Sequence, residues 1–307
     1  MNRWIIYQKE RFPLHQHAPL VFAFSFSALI FSRLLRGEVS LPSLTQTSIA
    51  FFTALLFFLQ LRIADEFKDF EEDRRYRPYR PVPRGLIRLR ELALVFGLCA
   101  MLQLLLALWL YPPLLMLLGV TWLYLAAMSK EFFVRDWLTA RPITYLWSHM
   151  LIMPLIDLYA TSCDWLVHGL SRPPAGIIWF LIVSFFNGVL IEFGRKIRAP
   201  QDEETGVNTY SALWGPTIAT RAWLGVLTLN LCAAAMAASR TDTLGITLIL
   251  LIPAYVAAFL LAARFLQSKA TQAAHRIELA SGIWTLVMYL TLGPVALGVR
   301  FFFAGVQ

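Results

Sequence analysis

The residues best placed for chemistry are three aspartates, Asp65, Asp69 and Asp73, at i, i+4 and i+8. On a helix they share one face, with successive carboxylates roughly 6 Å apart along the axis. Like charges at that spacing destabilise an isolated helix, so something must offset the repulsion. Hard oxygen ligands on one face suit Mg2+, which takes one or two carboxylates and then binds phosphates. Arg74, Arg75, Arg77, Arg80 and Arg84 follow directly. Guanidinium groups fork well onto phosphate oxygens, which makes Arg74, Arg77 and Arg80 candidates to hold a diphosphate. The competing reading is a solvated helix end whose acids pair with those arginines. Glu66, Glu71 and Glu72 lie off the stripe and fit a surface position.

The elements that must position this stripe are apolar. Of 307 residues, 58% are hydrophobic and 15% charged. A soluble domain would carry about 25% charged residues. The apolar residues form long runs, and a bilayer span needs roughly 20 of them. Nine stretches qualify, at about 18–35, 45–64, 91–111, 113–129, 143–162, 176–194, 216–238, 244–265 and 279–303. The run at 113–129 is short and starts behind Pro112 and Pro113. The expected protein is all-α and integral to a membrane, one polytopic domain over 1–307. Residues 1–17 form an amphipathic cytosolic lead-in and not a signal peptide, because they mix charges, histidines and a proline.

Lysine and arginine give the orientation. With the N-terminus inside, the outside segments hold five of the 27: Arg33, Arg36, Arg172, Arg240 and Arg300. Arg62 sits at the inner end of the second span, and the remainder belong to inside segments. This bias predicts a cytoplasmic N-terminus and a C-terminus on the opposite side of a bacterial inner membrane or an organelle membrane. It also accounts for the net charge of +8 without a nucleic-acid partner. Cys99, Cys163 and Cys232 have no metal-ligand spacing, and Cys99 and Cys232, inside apolar runs, are expected to be packing residues.

Two inside loops, 65–90 and 192–215, mix acids and bases densely. Topology alone has no use for the acids. Glu192 ends an apolar run, where ionisable groups usually face a cavity or a partner. His149 and Asp157 lie eight residues apart within the fifth stretch, so a continuous helix would put them on one face. Each is a candidate proton acceptor, or a buried hydrogen-bonding group. Lys130, Glu131, Arg135 and Asp136 form a further inside cluster, expected to anchor the chain at the interface.

At these motifs the chain resembles the UbiA superfamily of intramembrane prenyltransferases. The family's first motif, N-D-x-x-D-x-x-x-D, corresponds to Asp65-Glu66-Phe67-Lys68-Asp69-Phe70-Glu71-Glu72-Asp73. Asp65 stands where the family usually has Asn, and Glu66 where it often has Asp. The following R-P-x-x-x-G corresponds to Arg80-Pro81-Val82-Pro83-Arg84-Gly85. In the second motif Asp202, Gly206 and Thr209 match the trailing part, while Arg198 stands where an acid is usual. The resemblance implies nine helices around a central cavity. It also implies Mg2+ on Asp65, Asp69, Asp73 and Asp202, and a prenyl diphosphate as the lipid donor.

The resemblance further implies that Asp65, Asp69, Asp73, Glu192, Lys196 and Asp202 serve the reaction. At the second loop two readings stay open: Asp202, Glu203 and Glu192 hold a metal, or Arg195, Lys196 and Arg198 contact the diphosphate directly. The expected activity is magnesium-dependent prenyl transfer to an acceptor the letters do not reveal, with an aromatic ring the first expectation. Rivals are a terpene cyclase of the same superfamily that needs no acceptor, and a non-catalytic lipid-binding or transport protein. A transporter would more usually show inverted repeats and polar groups near the midplane.

Overall fold

The computed structural model describes residues 2–304. The described residues form helices and turns. In chain order the helices are α1 (Arg3–Arg11), α2 (Leu14–Leu35), α3 (Leu44–Lys68), α4 (Phe70–Tyr76), α5 (Leu89–Leu110), α6 (Leu114–Ser129) and α7 (Arg135–Thr139). There follow α8 (Pro142–Met150), α9 (Ile152–Trp165), α10 (Ile177–Arg195), α11 (Tyr210–Ser239), α12 (Leu244–Ser268), α13 (Thr271–Leu290) and α14 (Ala296–Ala304).

Seven helical segments among the described residues are long and apolar enough to cross a membrane. They are α2, α3, α5, α10, α11, α12 and the continuous α13–α14, joined through a π-helical turn at Thr291–Val295. The other two apolar stretches are helical in a different form. α6 has only 16 residues. The stretch at 143–162 is not one helix, because it breaks at Leu151 between α8 and α9. Pro154 explains the break: it has no N–H for the carbonyl of Met150, and its ring crowds that carbonyl. The same device bends α11, where Gly215 leaves helical geometry just before Pro216.

The chain divides into two compact units, one comprising residues up to Leu29 with Pro42–Arg172, the other Ile30–Leu41 with the chain from Pro173 onward. In the first unit buried amides tie the helices together. Gln46 donates from α3 to the Cys163 carbonyl at 3.0 Å, and Gln103 donates from α5 to the Thr53 carbonyl at 3.2 Å. Trp122 of α6 donates to the Gln103 side chain at 2.9 Å. In apolar surroundings each such group must be satisfied within the protein.

α1 also belongs to the first unit. Its Tyr7 is buried with Ile63, Val82, Ile87 and Leu92. Its Arg11 pairs with Glu66, and its Glu10 and Arg3 pair with Arg84 and Glu91. The lead-in is therefore a helix docked on the segment that carries the first motif.

The second unit is seamed by close helix contact. A Cβ at Gly194 of α10 would overlap the Ser281 side chain of α13, so only glycine allows this approach. Trp223 of α11 donates to Ser281 Oγ at 2.9 Å. Asn230 donates to Asn187 at 2.7 Å, with both side chains fully buried.

Candidate active site

The first motif straddles a helix end. α3 stops at Lys68, Asp69 is the junction residue, and α4 begins at Phe70. Backbone bonds from Asp69 N to Asp65 O (2.9 Å) and from Asp73 N to Asp69 O (2.8 Å) carry the helical pattern across the junction. The three carboxylates nevertheless have different surroundings. Asp65 is half-exposed, with Arg62 Nη1 at 3.6 Å and Lys68 Nζ at 3.7 Å. Asp73 is buried and held by Arg80 at 2.6 Å and Arg77 at 3.4 Å.

Asp69 accepts no side-chain hydrogen bond among the described residues. Burial pushes its carboxyl up to about 6; Lys68 opposes that rise, while Asp65, Asp73 and Glu72 add to it. Arg74 is exposed and Glu72 faces out towards Arg135 at 3.5 Å. Glu66, expected at the surface, is only 2% exposed because Arg11 neutralises it.

Among the described residues no three His, Cys, Asp or Glu side chains gather as a metal-binding group. Magnesium does not require three, since one or two carboxylates suffice with phosphate and water. Asp69 and Asp65 fit that need: one carboxylate is crowded by like charge, and the other has only two cations at long range. A divalent cation would supply the missing charge. Asp73 would first have to release its arginines.

Sequence reasoning missed a buried network beside these aspartates. Lys68 Nζ donates to Tyr145 Oη at 2.8 Å, and Tyr145 donates to Glu131 Oε1 at 3.0 Å. Glu131 Oε2 lies 3.2 Å from His149 Nε2. His149 Nδ1 is 2.8 Å from the Tyr145 carbonyl, so that nitrogen carries a hydrogen. The Nε2 contact is then a hydrogen bond only if a proton lies between ring and carboxylate. Burial acts to raise Glu131's carboxyl, but His149, Lys68 and Tyr145 outweigh it and hold it below the usual carboxylate range.

Glu131 reaches inward because Glu131, Phe132 and Phe133 all have positive φ, at 50°, 53° and 62°. Left-handed backbone costs a non-glycine residue roughly 1–2 kcal/mol. No glycine or asparagine marks this turn in the letters, so Glu131 was expected to be an interfacial charge. His149 is buried here, and the break at Leu151 removes the shared face expected with Asp157. Asp157 is fully buried within α9.

The second motif lies in the other unit. Its loop leaves α10 and is closed by a bond from Tyr210 N to the Lys196 carbonyl at 3.0 Å. Gly206 supplies a turn at φ 77°, and Thr209 caps α11 through Ala212 N at 3.0 Å. Those two letters of the motif are therefore architectural. Thr209 also donates to Glu203 at 2.6 Å. Glu192 accepts from Arg195 and Lys196, each at 2.8 Å. Arg198 pairs with Glu204 at 2.8 Å and reaches the Asp202 carbonyl at 3.4 Å. The Asp202 side chain is half-buried.

Seven membrane-length apolar helices among the described residues, with an acidic helix end, define a polytopic membrane protein. A family model described as the UbiA prenyltransferase family matches residues 24–286, and the chain belongs to that family. No curated protein matches the chain in sequence. Among solved structures it is similar to a digeranylgeranylglyceryl phosphate synthase at 16% identity and TM-score 0.65, covering 97% of this chain and all of that one. It is similar to a UbiA homologue from Aeropyrum pernix K1 at 14% identity and TM-score 0.67, covering 88% and 95%. A UbiA homologue from Archaeoglobus fulgidus, bound to DMAPP and Mg2+, aligns at 14% identity and TM-score 0.54, covering 93% and 98%. These likenesses establish the fold.

Proposed function

We propose that this protein is a magnesium-dependent prenyltransferase that moves a prenyl group from a prenyl diphosphate to an acceptor within the membrane, with an aromatic ring the first acceptor to test. The observation that carries this reading is Asp69, a crowded carboxylate without a side-chain hydrogen bond, one helical turn from Asp65. Family membership and the DMAPP and Mg2+ bound by the Archaeoglobus homologue support it. When bound, Mg2+ supplies a Lewis acid for the diphosphate oxygens. Asp65 and Asp69 would hold it. Asp73 holds Arg77 and Arg80 in fixed positions, so their remaining donors are oriented before the donor arrives. Arg74, exposed beside them, adds a further cation.

In the second loop Glu192 orients Arg195 and Lys196, and Glu204 orients Arg198. Each cation keeps spare donors for phosphate. Asp202 and Glu203, whose Oε1 has no hydrogen-bond partner among the described residues, are the acids left in that loop for a second metal. Loss of the diphosphate leaves an allylic cation, the acceptor attacks it, and a base takes the spare proton. His149 Nε2, 3.2 Å from Glu131, and the buried Asp157 are the two candidates for that base.

Incubating the purified protein with radiolabelled prenyl diphosphates, Mg2+ and pooled acceptors tests the function. An acceptor-linked product that disappears in EDTA is expected. A cyclised product, or none, would overturn transfer. The same assay weighs the second loop. Lys196→Ala and Arg198→Ala should each cost roughly ten- to a hundredfold in donor binding or turnover. Arg198→Asp should impair further if the loop binds phosphate by its cations, and should be tolerated if the loop holds a second metal.

For orientation we propose a cytoplasmic N-terminus. Single cysteines at Pro78 and Ser171, in a background lacking Cys99, Cys163 and Cys232, should label from opposite faces. Labelling from one face would sink that topology.

A further inference from the structure

We propose that Glu131 is a positioning residue for the first acidic site: it shares Lys68 with Asp65, which loosens the hold of Lys68 on Asp65 and eases the approach of a divalent cation. The proposal rests on the reading of Asp65 and Asp69 as metal ligands. One ammonium has three acceptors around it, Tyr145 Oη at 2.8 Å, Glu131 Oε1 at 3.6 Å and Asp65 Oδ1 at 3.7 Å. Tyr145 gives its hydrogen to Glu131, so its lone pairs face Lys68. Lys68 is therefore shared between a carboxylate that would bind metal and one that would not.

Glu131 is fixed from both sides. Its second oxygen meets His149, whose ring stacks on Tyr145 with centroids 4.0 Å apart. The left-handed run at 131–133 is the backbone that turns this carboxylate inward. A strained segment is retained where the surrounding contacts over-determine it, and here Glu131 meets Lys68, Tyr145 and His149 while Phe132 packs against His149 and Tyr124. Without the Glu131 charge, Asp65 becomes the nearest remaining carboxylate to Lys68. The ammonium would then compete with a metal for it. Arg62, on the other oxygen of Asp65, is common to both situations.

Mn2+ is a suitable probe, with free ion counted by electron paramagnetic resonance on the full-length protein in detergent. Apparent affinity scales with the fraction of molecules in which the ligand is available. Glu131→Gln should therefore weaken Mn2+ binding by about tenfold, and Tyr145→Phe should weaken it in the same direction. In a Lys68→Met background neither change should have any further effect, because the competitor is gone. Equal weakening with and without Lys68 would mean general damage or long-range charge, and would overturn the proposal. Tyr145→Phe keeps the test available if Glu131→Gln does not fold. Asp69→Asn distinguishes loss of the metal site from loss of the Glu131 effect. Mn2+ binding that survives it unchanged would sink the metal-site reading, and this proposal with it. Binding lost in Asp69→Asn but untouched in Glu131→Gln would overturn the role of Glu131 alone.

Discussion

Asp69→Asn should lower prenyl transfer by about a thousandfold or more, because a metal Lewis acid is worth several kcal/mol of barrier. The substitution keeps the size and shape of the side chain. It removes a charge that no side-chain hydrogen bond satisfies among the described residues and that Asp65 and Asp73 already oppose. Stability should therefore hold or rise slightly, since like charges on one helix face repel. The pairing of lost turnover with an unchanged or higher melting temperature is the signature of a ligand. Turnover measured under saturating Mg2+, beside thermal unfolding in detergent, provides both readings. Wild-type turnover in Asp69→Asn would remove the first motif from the chemistry.

Arg11→Ala should do the reverse and damage the fold first. Glu66 is buried to 1% side-chain exposure, and Arg11, itself 10% exposed, is its ion-pair partner. Removing one member of a buried pair leaves an uncompensated charge and costs about 3–5 kcal/mol. Replacing both members with apolar residues of similar volume is often neutral. Arg11→Met combined with Glu66→Leu should thus recover most of what Arg11→Ala loses. Thermal unfolding of the three proteins checks this. A double variant as unstable as Arg11→Ala would mean that the pair is not the source of the loss.

Much of the architecture was legible because hydropathy and charge act over long windows. The apolar runs and the acidic stripe all fall where helices or helix ends stand. The second loop is shorter than the charge pattern suggests, because α10 runs on to Arg195 and α11 begins at Tyr210. What escaped was decided by short-range geometry. Pro154 lies inside an apolar run, so no hydropathy average registers the break it makes at Leu151. Glu66 looked like a surface residue because its partner is 55 positions away. Glu131 looked like an interfacial charge because nothing in Lys-Glu-Phe-Phe announces a left-handed turn. Asp73 kept the right face and the right spacing, yet its nearest cations are its own downstream arginines, the pairing that a charge pattern alone leaves open.

The docking of α1 also orders events in time. Its ion pairs join Arg3 to Glu91, Glu10 to Arg84 and Arg11 to Glu66, across 88, 74 and 55 residues. None can form until those later residues have been made. At about 5–20 residues per second, the ribosome needs on the order of ten seconds to supply them. Over that interval α2 and α3 emerge and can enter the bilayer, while α1 has neither its salt-bridge partners nor the surface that buries Tyr7. α1 thus waits for chain made after it, as far on as Glu91, before its ion pairs can close. The acidic helix end receives its brace from α1 only once Glu66, Arg84 and Glu91 have been made.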